Sequence, residues 1–286
     1  IRDRMSEGLS REQIADRLEE AAELLEAQGA NPFRVRAYRR GSQTVRGLSK
    51  DPIEILDSEG LEGLVRLPNV GDRLARAIDE MSHTGRWIQL ERMRGDAEPT
   101  ELFQSIPGIG PETARRLLDT LHIDTLEALE IAAHDGRIES VPGIGPRKAA
   151  AIRASLEAML ARRSRRGEGD HEEPSVAEIL KVDDIYRRRA KDGSLKKIAP
   201  RRFNPDGEAW LPILHLDQDE WSFTALYSNT ARAHELHRTQ DWVVIYFGKI
   251  DGREHMRTVV TETHGPLEGR RVVRGREVEC RRYYLG

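Results

Sequence analysis

The chain has 286 residues, 33% of them charged and 38% hydrophobic, which is enough for two or three domains with a modest core and a busy surface. Its formal net charge of -3 excludes a uniformly basic surface, and its single cysteine, Cys280, excludes an internal disulfide framework. No apolar run approaches the ~20 residues of a membrane span, and the start of the chain lacks a signal-peptide core.

Residues 11–28 carry Ile14, Leu18, Ala21, Ala22 and Leu25 at helical spacing and end at Gly29, which predicts an amphipathic helix. A second helix is expected over 33–45, with Phe33, Ala37 and Tyr38 set among arginines, and one or two short helices over 51–65. Then comes an internal repeat. Leu67-Pro68-Asn69-Val70-Gly71, Ile106-Pro107-Gly108-Ile109-Gly110 and Val141-Pro142-Gly143-Ile144-Gly145 are versions of one pentapeptide, with prolines 39 and 35 residues apart. Each is followed by apolar residues at helical spacing: Leu74, Ala75 and Ile78; Ala114, Leu117 and Leu118; Ala149 and Ile152. At least one further helix is expected within 121–135.

Residues 162–174 (RRSRRGEGDHEEP) are charged and patternless, as in a linker. Beyond them a helix is expected over 176–189 and strands over 221–227, 242–247 and 258–261, with 270–273 and 278–284 completing the sheet. Ser228, Asn229 and Thr230 offer a cap for a helix reaching about residue 236. Among the tryptophans, Trp210, Trp221 and Trp242 are expected in the core. The fold class is therefore a mainly α N-terminal half with three helix-hairpin-helix units, joined to an α+β C-terminal domain with a small, mostly antiparallel sheet.

The spelling of the pentapeptide has a chemical reason. Glycines on either side of one apolar residue let the backbone turn tightly and approach another molecule with no Cβ in the way. Asn69, in place of the leading glycine, also tolerates the left-handed conformation. The apolar residue plugs the turn between two helices, and the next helix begins with free N–H groups at its positive dipole end. Such a turn binds phosphate and reads no sequence. The candidate DNA-binding residues are Asn69, Gly71, Gly108, Gly110, Gly143 and Gly145 in the turns, with Arg73, Arg115, Arg147 and Lys148 in the helical turns that follow. Arginine outnumbers lysine 39 to 7, a bias that suits bidentate phosphate contact and that an arginine-rich genome also produces.

Residues 11 to about 160 resemble the N-terminal lyase-like and helix-hairpin-helix region of bacterial family X DNA polymerases. The resemblance rests on Asn31-Pro32-Phe33-Arg34-Val35-Arg36-Ala37-Tyr38-Arg39-Arg40, on the hairpins, and on Thr84-Gly85-Arg86. It implies a lyase-like helical domain with the first hairpin over 1–95 and a tandem hairpin domain over 96–161. The 162–174 linker and a C-terminal domain over 175–286, which resembles no family, complete the chain. It also implies a 5′-phosphate pocket near Arg34, Tyr38 and Arg39. A monovalent cation, Na+ or K+, is implied at the carbonyls of Leu67 with Val70 and Ile106 with Ile109.

Two departures stand out. Ala77 occupies the position of the family's Schiff-base lysine, and Phe33 stands where a histidine can be. The polymerase palm is missing, since Gly193-Ser194 and Asp217-Gln218-Asp219 lie too far apart to form its motif.

Abasic-site cleavage needs only a neutral amine and a proton acceptor. Lys196, Lys197 and Lys148 are the candidate nucleophiles, Lys197 first, with Glu208 or Glu262 as acceptor. Arg201 and Arg202, beside Phe203 in the same basic segment, are further DNA-binding candidates. The expected function is a repair protein for gapped, nicked or abasic DNA that acts as an AP or 5′-dRP lyase by lysine Schiff base and β-elimination. One alternative is a non-catalytic scaffold for a repair ligase or polymerase. Another is a metal-dependent nuclease built on His234 and His237 or on Asp217, Asp219 and Glu220. DNA is the expected partner, with no membrane, and the expected location is cytoplasmic and nucleoid-associated.

Overall fold

A computed structural model describes residues 8–96, 99–104, 106–121, 123, 126–161, 172–249 and 254–286. The chain opens with α1 (Arg11–Ala27), whose start is fixed by a capping box between Ser10 and Gln13. Asn31 accepts the Phe33 amide and Pro32 presets the first turn of α2 (Pro32–Arg46). Next, α3 (Pro52–Val65) is two short pieces joined at Gly60, where φ is 67°. The first hairpin leads into α4 (Asp72–Thr84), which ends at left-handed Gly85, and α5 (Ile88–Arg94) ends at left-handed Gly95.

The tandem hairpins comprise α6 (Pro99–Gln104), α7 (Pro111–Leu121), α8 (Leu126–His134) and α9 (Pro146–Ala161), with a 3-10 turn at Arg137–Ser140. Residues 162–171, most of the expected linker, lie outside the described residues; beyond them Ser175 and Glu178 form the capping box of α10 (Val176–Lys191).

Six strands follow: β1 (Lys196–Ile198), β2 (Leu211–Gln218), β3 (Trp221–Tyr227), β4 (Val243–Lys249), β5 (His255–Thr261) and β6 (Arg271–Val273). A short α11 (Ala231–Glu235) lies between β3 and β4, and α12 (Glu277–Leu285) closes the described chain. The strands pair in chain order, each antiparallel to the next. The α+β expectation therefore holds, with one correction. Residues 278–284 are helix, not strand. Cys280 and Tyr284 are four apart and turn inward, with Cys280 fully buried and Tyr284 packed on the same core, while Val278 and Tyr283 stay exposed.

Register decides which sheet face meets which helices. Ala225, Ile245 and Val259 share the face covered by α10 and α12, together with Phe223 and Phe247. The opposite face is apolar at one end, where Ile213, Leu226, Val244, Tyr246 and Met256 join the core of the tandem hairpins. Its other end is polar: His215, Thr224, Asp217 and Ser222 line up toward the first helical unit. The sheet is a shared wall. One core fills residues 9–93, a second fuses the hairpins with the sheet, and a third lies under α10 and α12.

Candidate nucleic-acid interface

In all three hairpins the apolar plug is inside: Val70, Ile109 and Ile144 are each less than 5% exposed. The leading turn residues take left-handed backbone, with φ of 59° at Asn69, 87° at Gly108 and 83° at Gly143. The turns close identically, Val70 N–H to Leu67 O, Ile109 N–H to Ile106 O and Ile144 N–H to Val141 O, at 3.0–3.2 Å. Each leading carbonyl keeps its second lone pair.

Gly110 and Gly145, which precede α7 and α9, are not left-handed, and a Cβ placed on either meets nothing within 4 Å. The protein interior therefore gives no reason for glycine at these two sites, whereas a strand approaching from outside does.

The two tandem turns are braced together. Arg116 Nη1 donates to Pro142 O at 3.1 Å, and Lys148 Nζ donates to Thr113 Oγ1 at 2.8 Å. Arg115 forms a solvent-exposed pair with Glu112 at 2.9 Å, and Arg147 is exposed. The first hairpin is braced separately: the Thr44 hydroxyl donates to Pro68 O at 2.8 Å.

Beside that first hairpin lies a cleft of about 400 Å³. Asn31, Arg34 and Tyr38 come from the first two helices, Asn69, Gly71 and Arg73 from the hairpin and α4, and Asp217 and Ser222 from the sheet. Among the described residues the Arg34 guanidinium has no hydrogen-bond partner, and its Nε is buried. Arg73 donates from Nη2 to Lys249 O at 2.9 Å, and burial pulls its pKa below the ordinary arginine value. Its Nε is likewise unpartnered.

Asp217 accepts the Ser222 hydroxyl, and its charge acts on Arg73 across the cleft. Tyr38 lines the wall, but it is buried and stacked on Trp87 at 5.8 Å. Arg39 does not reach the cleft; it pairs with Glu26 at 2.7 Å and Glu19 at 3.6 Å on the outer surface. Sequence reasoning missed Asp217 and Ser222 as cleft residues, because only the packing of the sheet brings them there.

A polar seam joins sheet and helices next to this cleft. His215 is buried, its Nε2–H donating to Gln28 Oε1 at 2.8 Å and its Nδ1 accepting the Thr224 hydroxyl at 3.0 Å. Gln28 is held in turn by Met93 O at 2.8 Å. Burial, reinforced by the charges of Arg34 and Arg92, holds the His215 pKa well below 6.5, so the imidazole is neutral. The unfolded chain binds a proton there near pH 6.5 and the folded one does not. Stability is therefore fully present above that pH and falls by about 1.4 kcal/mol per unit as pH drops below it. In His215→Gln this slope is expected to disappear from urea titrations between pH 6.5 and 5; equal slopes in both proteins would refute the assignment.

The candidate catalytic groups are dispersed. Lys196 and Lys197 are exposed on edge strand β1, and neither side chain has a hydrogen-bond or ion-pair partner among the described residues. Lys148 is tied to Thr113. Glu262 follows β5, four strand spacings or about 19 Å from β1. It is paired with Arg274 at 2.6 Å, and that hydrogen bond keeps its pKa below the usual carboxylate value. The structure therefore does not bring Glu262 and Lys197 together. Glu208 lies in the same segment as the two lysines, its amide bonded to Asn204 Oδ1 at 3.1 Å.

The metal reading also needs correction. His237 lies beyond α11 with φ of 53°, so His234 and His237 do not share a helical face. Asp219 and Glu220 form the β2–β3 turn, with Glu220 paired to Lys249 at 2.8 Å. Among the described residues no group of three or more His, Cys, Asp or Glu side chains is placed to hold a metal. None of the described helices is long and apolar enough to cross a membrane.

These hairpins have counterparts among known proteins. Residues 10–87 match the family model of a helix-hairpin-helix domain, and residues 100–158 match that of a SAM-like helix-hairpin-helix tandem. The N-terminal half is thus a helix-hairpin-helix region, and domains of this kind point to nucleic acid as the ligand.

Proposed function

We propose that this protein binds DNA at breaks and lesions (gaps, nicks or abasic sites) in the course of repair, by gripping the sugar-phosphate backbone. The observation that carries this reading is the cleft beside the first hairpin. It combines Arg34, whose guanidinium has no partner among the described residues, the half-buried Arg73 and the turn at Asn69–Gly71, and the sheet closes its back with Asp217 and Ser222. A cleft closed on one side accepts a strand end more readily than a continuous duplex, and two guanidiniums suit a terminal phosphate. The tandem hairpins then hold the adjoining backbone through amides and helix starts. A Na+ or K+ ion held by the carbonyls of Leu67 and Val70, or of Ile106 and Ile109, would supply a positive charge next to the phosphates.

Fluorescence anisotropy should show a one-nucleotide gap with a 5′-phosphate bound about tenfold more tightly than the same gap with a 5′-hydroxyl, and affinity should fall steeply with salt. Equal affinity for gapped and intact duplex removes the reading.

A second reading is favoured by one observation: the side-chain nitrogens of Lys196 and Lys197 are exposed and unpartnered among the described residues. An amine on β1 that reached an abasic sugar would form a Schiff base and cleave by β-elimination. Borohydride added to the same mixtures, with a uracil-excised duplex, would trap that adduct and map it to β1. Tight gap binding without an adduct assigns instead a non-catalytic binder that places a ligase or polymerase.

A further inference from the structure

The segment between β1 and β2 holds an aromatic residue in an unusual state. Phe203 has φ of 53°, a left-handed backbone that bulky side chains avoid, yet 48% of its surface stays exposed. Strain of this kind persists only where the surroundings enforce it, and it clusters at sites with a task.

The surroundings do enforce it. Arg201 N–H donates to Gly95 O at 2.8 Å, and Asn229 Nδ2 donates to Arg202 O at 3.0 Å. Asn204 closes the next turn by accepting the Glu208 amide at 3.1 Å and donating to Glu208 O at 2.9 Å. Behind the ring stands His234, 4.4 Å away between centroids, fixed by Asn229 Oδ1 at 2.6 Å. Trp210 meets His234 edge-on at 6.4 Å. The backing is therefore aromatic, a tilted ring contact followed by an edge-on one. The neighbours of Phe203 in the chain are cationic: Arg201 is exposed and the Arg202 guanidinium lies 5.2 Å from the Phe203 centroid.

A half-exposed ring held rigidly among cations is what sequence-tolerant binding of an unpaired base requires: a flat apolar face for the base and positive charge for its phosphates. A solvated loop has no need to hold phenylalanine in a strained backbone. We infer that Phe203 is a stacking platform for an unpaired nucleobase exposed by the DNA break, with Arg201 and Arg202 contacting the phosphates of that strand. This inference rests on the DNA-binding reading given above.

The test uses the full chain and three duplexes: intact, with a one-nucleotide gap facing an unpaired base, and with the same gap facing a tetrahydrofuran abasic residue. The wild type is expected to prefer the gap with a base over the abasic gap by about tenfold. Phe203→Gly removes the ring and relieves the backbone. It should erase that preference while leaving intact-duplex affinity unchanged, and Phe203→Trp should restore it. A wild type that binds all three duplexes without this preference overturns the platform but leaves backbone binding standing. Equal loss by Phe203→Gly on all three duplexes, or no loss at all, also overturns it. A wild type that binds none of them overturns the DNA reading itself.

Discussion

Replacing Gly110 and Gly145 together by alanine is expected to weaken binding to every DNA sequence at least tenfold while the protein remains folded. Tenfold corresponds to about 1.4 kcal/mol, a modest demand if two hairpins each lose close contact with a phosphate. The two methyl groups enter open space and neither backbone is left-handed, so nothing inside the chain is displaced. Glycine to alanine at a helix start costs roughly 1 kcal/mol or less. Stability and affinity should therefore separate, which Gly108 and Gly143 do not allow, because their positive φ adds strain of its own. The slope of log affinity against log salt should also flatten as phosphate contacts are lost. Anisotropy titrations at several salt concentrations, alongside thermal melts, measure both quantities. Affinity within twofold of wild type, or a loss confined to particular sequences, would sink the claim that these turns grip the backbone.

Arg92→Ala is expected to destabilise the protein by about 3–5 kcal/mol, the usual effect of removing one member of a buried ion pair. Arg92 is 3% exposed. Its guanidinium lies 3.3 Å from the Tyr246 ring centroid, and its Nη1 donates to Glu254 at 2.9 Å. The substitution takes the cation off the ring and strands the carboxylate. Burial by itself pushes the Glu254 carboxyl up, but the charges of Arg92, Arg73 and Arg34 outweigh it and keep the pKa below its ordinary value. Glu254 thus contributes stability above the ordinary carboxylate range that is lost as pH falls through its lower folded value. In Arg92→Met combined with Glu254→Gln both charges go, and most of the lost stability should return. Urea denaturation of the three proteins decides it; a single-mutant loss under 1 kcal/mol means that the seam is not held this way.

Much of the N-terminal half was legible because its signals are local and repeated. A turn spelled three times, with the plug residue always between two small or permissive neighbours, specifies its own geometry. The sheet was harder. In β2, Pro212 interrupts an apolar run and argues against a central strand, yet it pairs only with Lys197 of the edge strand and its carbonyl accepts the Tyr186 hydroxyl. In α12, Val278, Tyr283 and Tyr284 suggested a strand, and the acidic start at Glu277 and Glu279 was the overlooked sign of a helix. Asp217 and Ser222 reach the cleft only through packing between segments far apart in sequence, and no local pattern announces that.

The apolar layer shared by the tandem hairpins and the sheet has a mechanical consequence. A load applied by nucleic acid at Gly110 or Gly145 passes through Ile109, Ile144 and Leu118, which share one buried core with Ile213 of β2, Leu226 of β3 and Val244 of β4. The gripping turns are in effect mounted on a stiff plate. Separating the tandem hairpins from the sheet would expose that apolar layer to water on both halves.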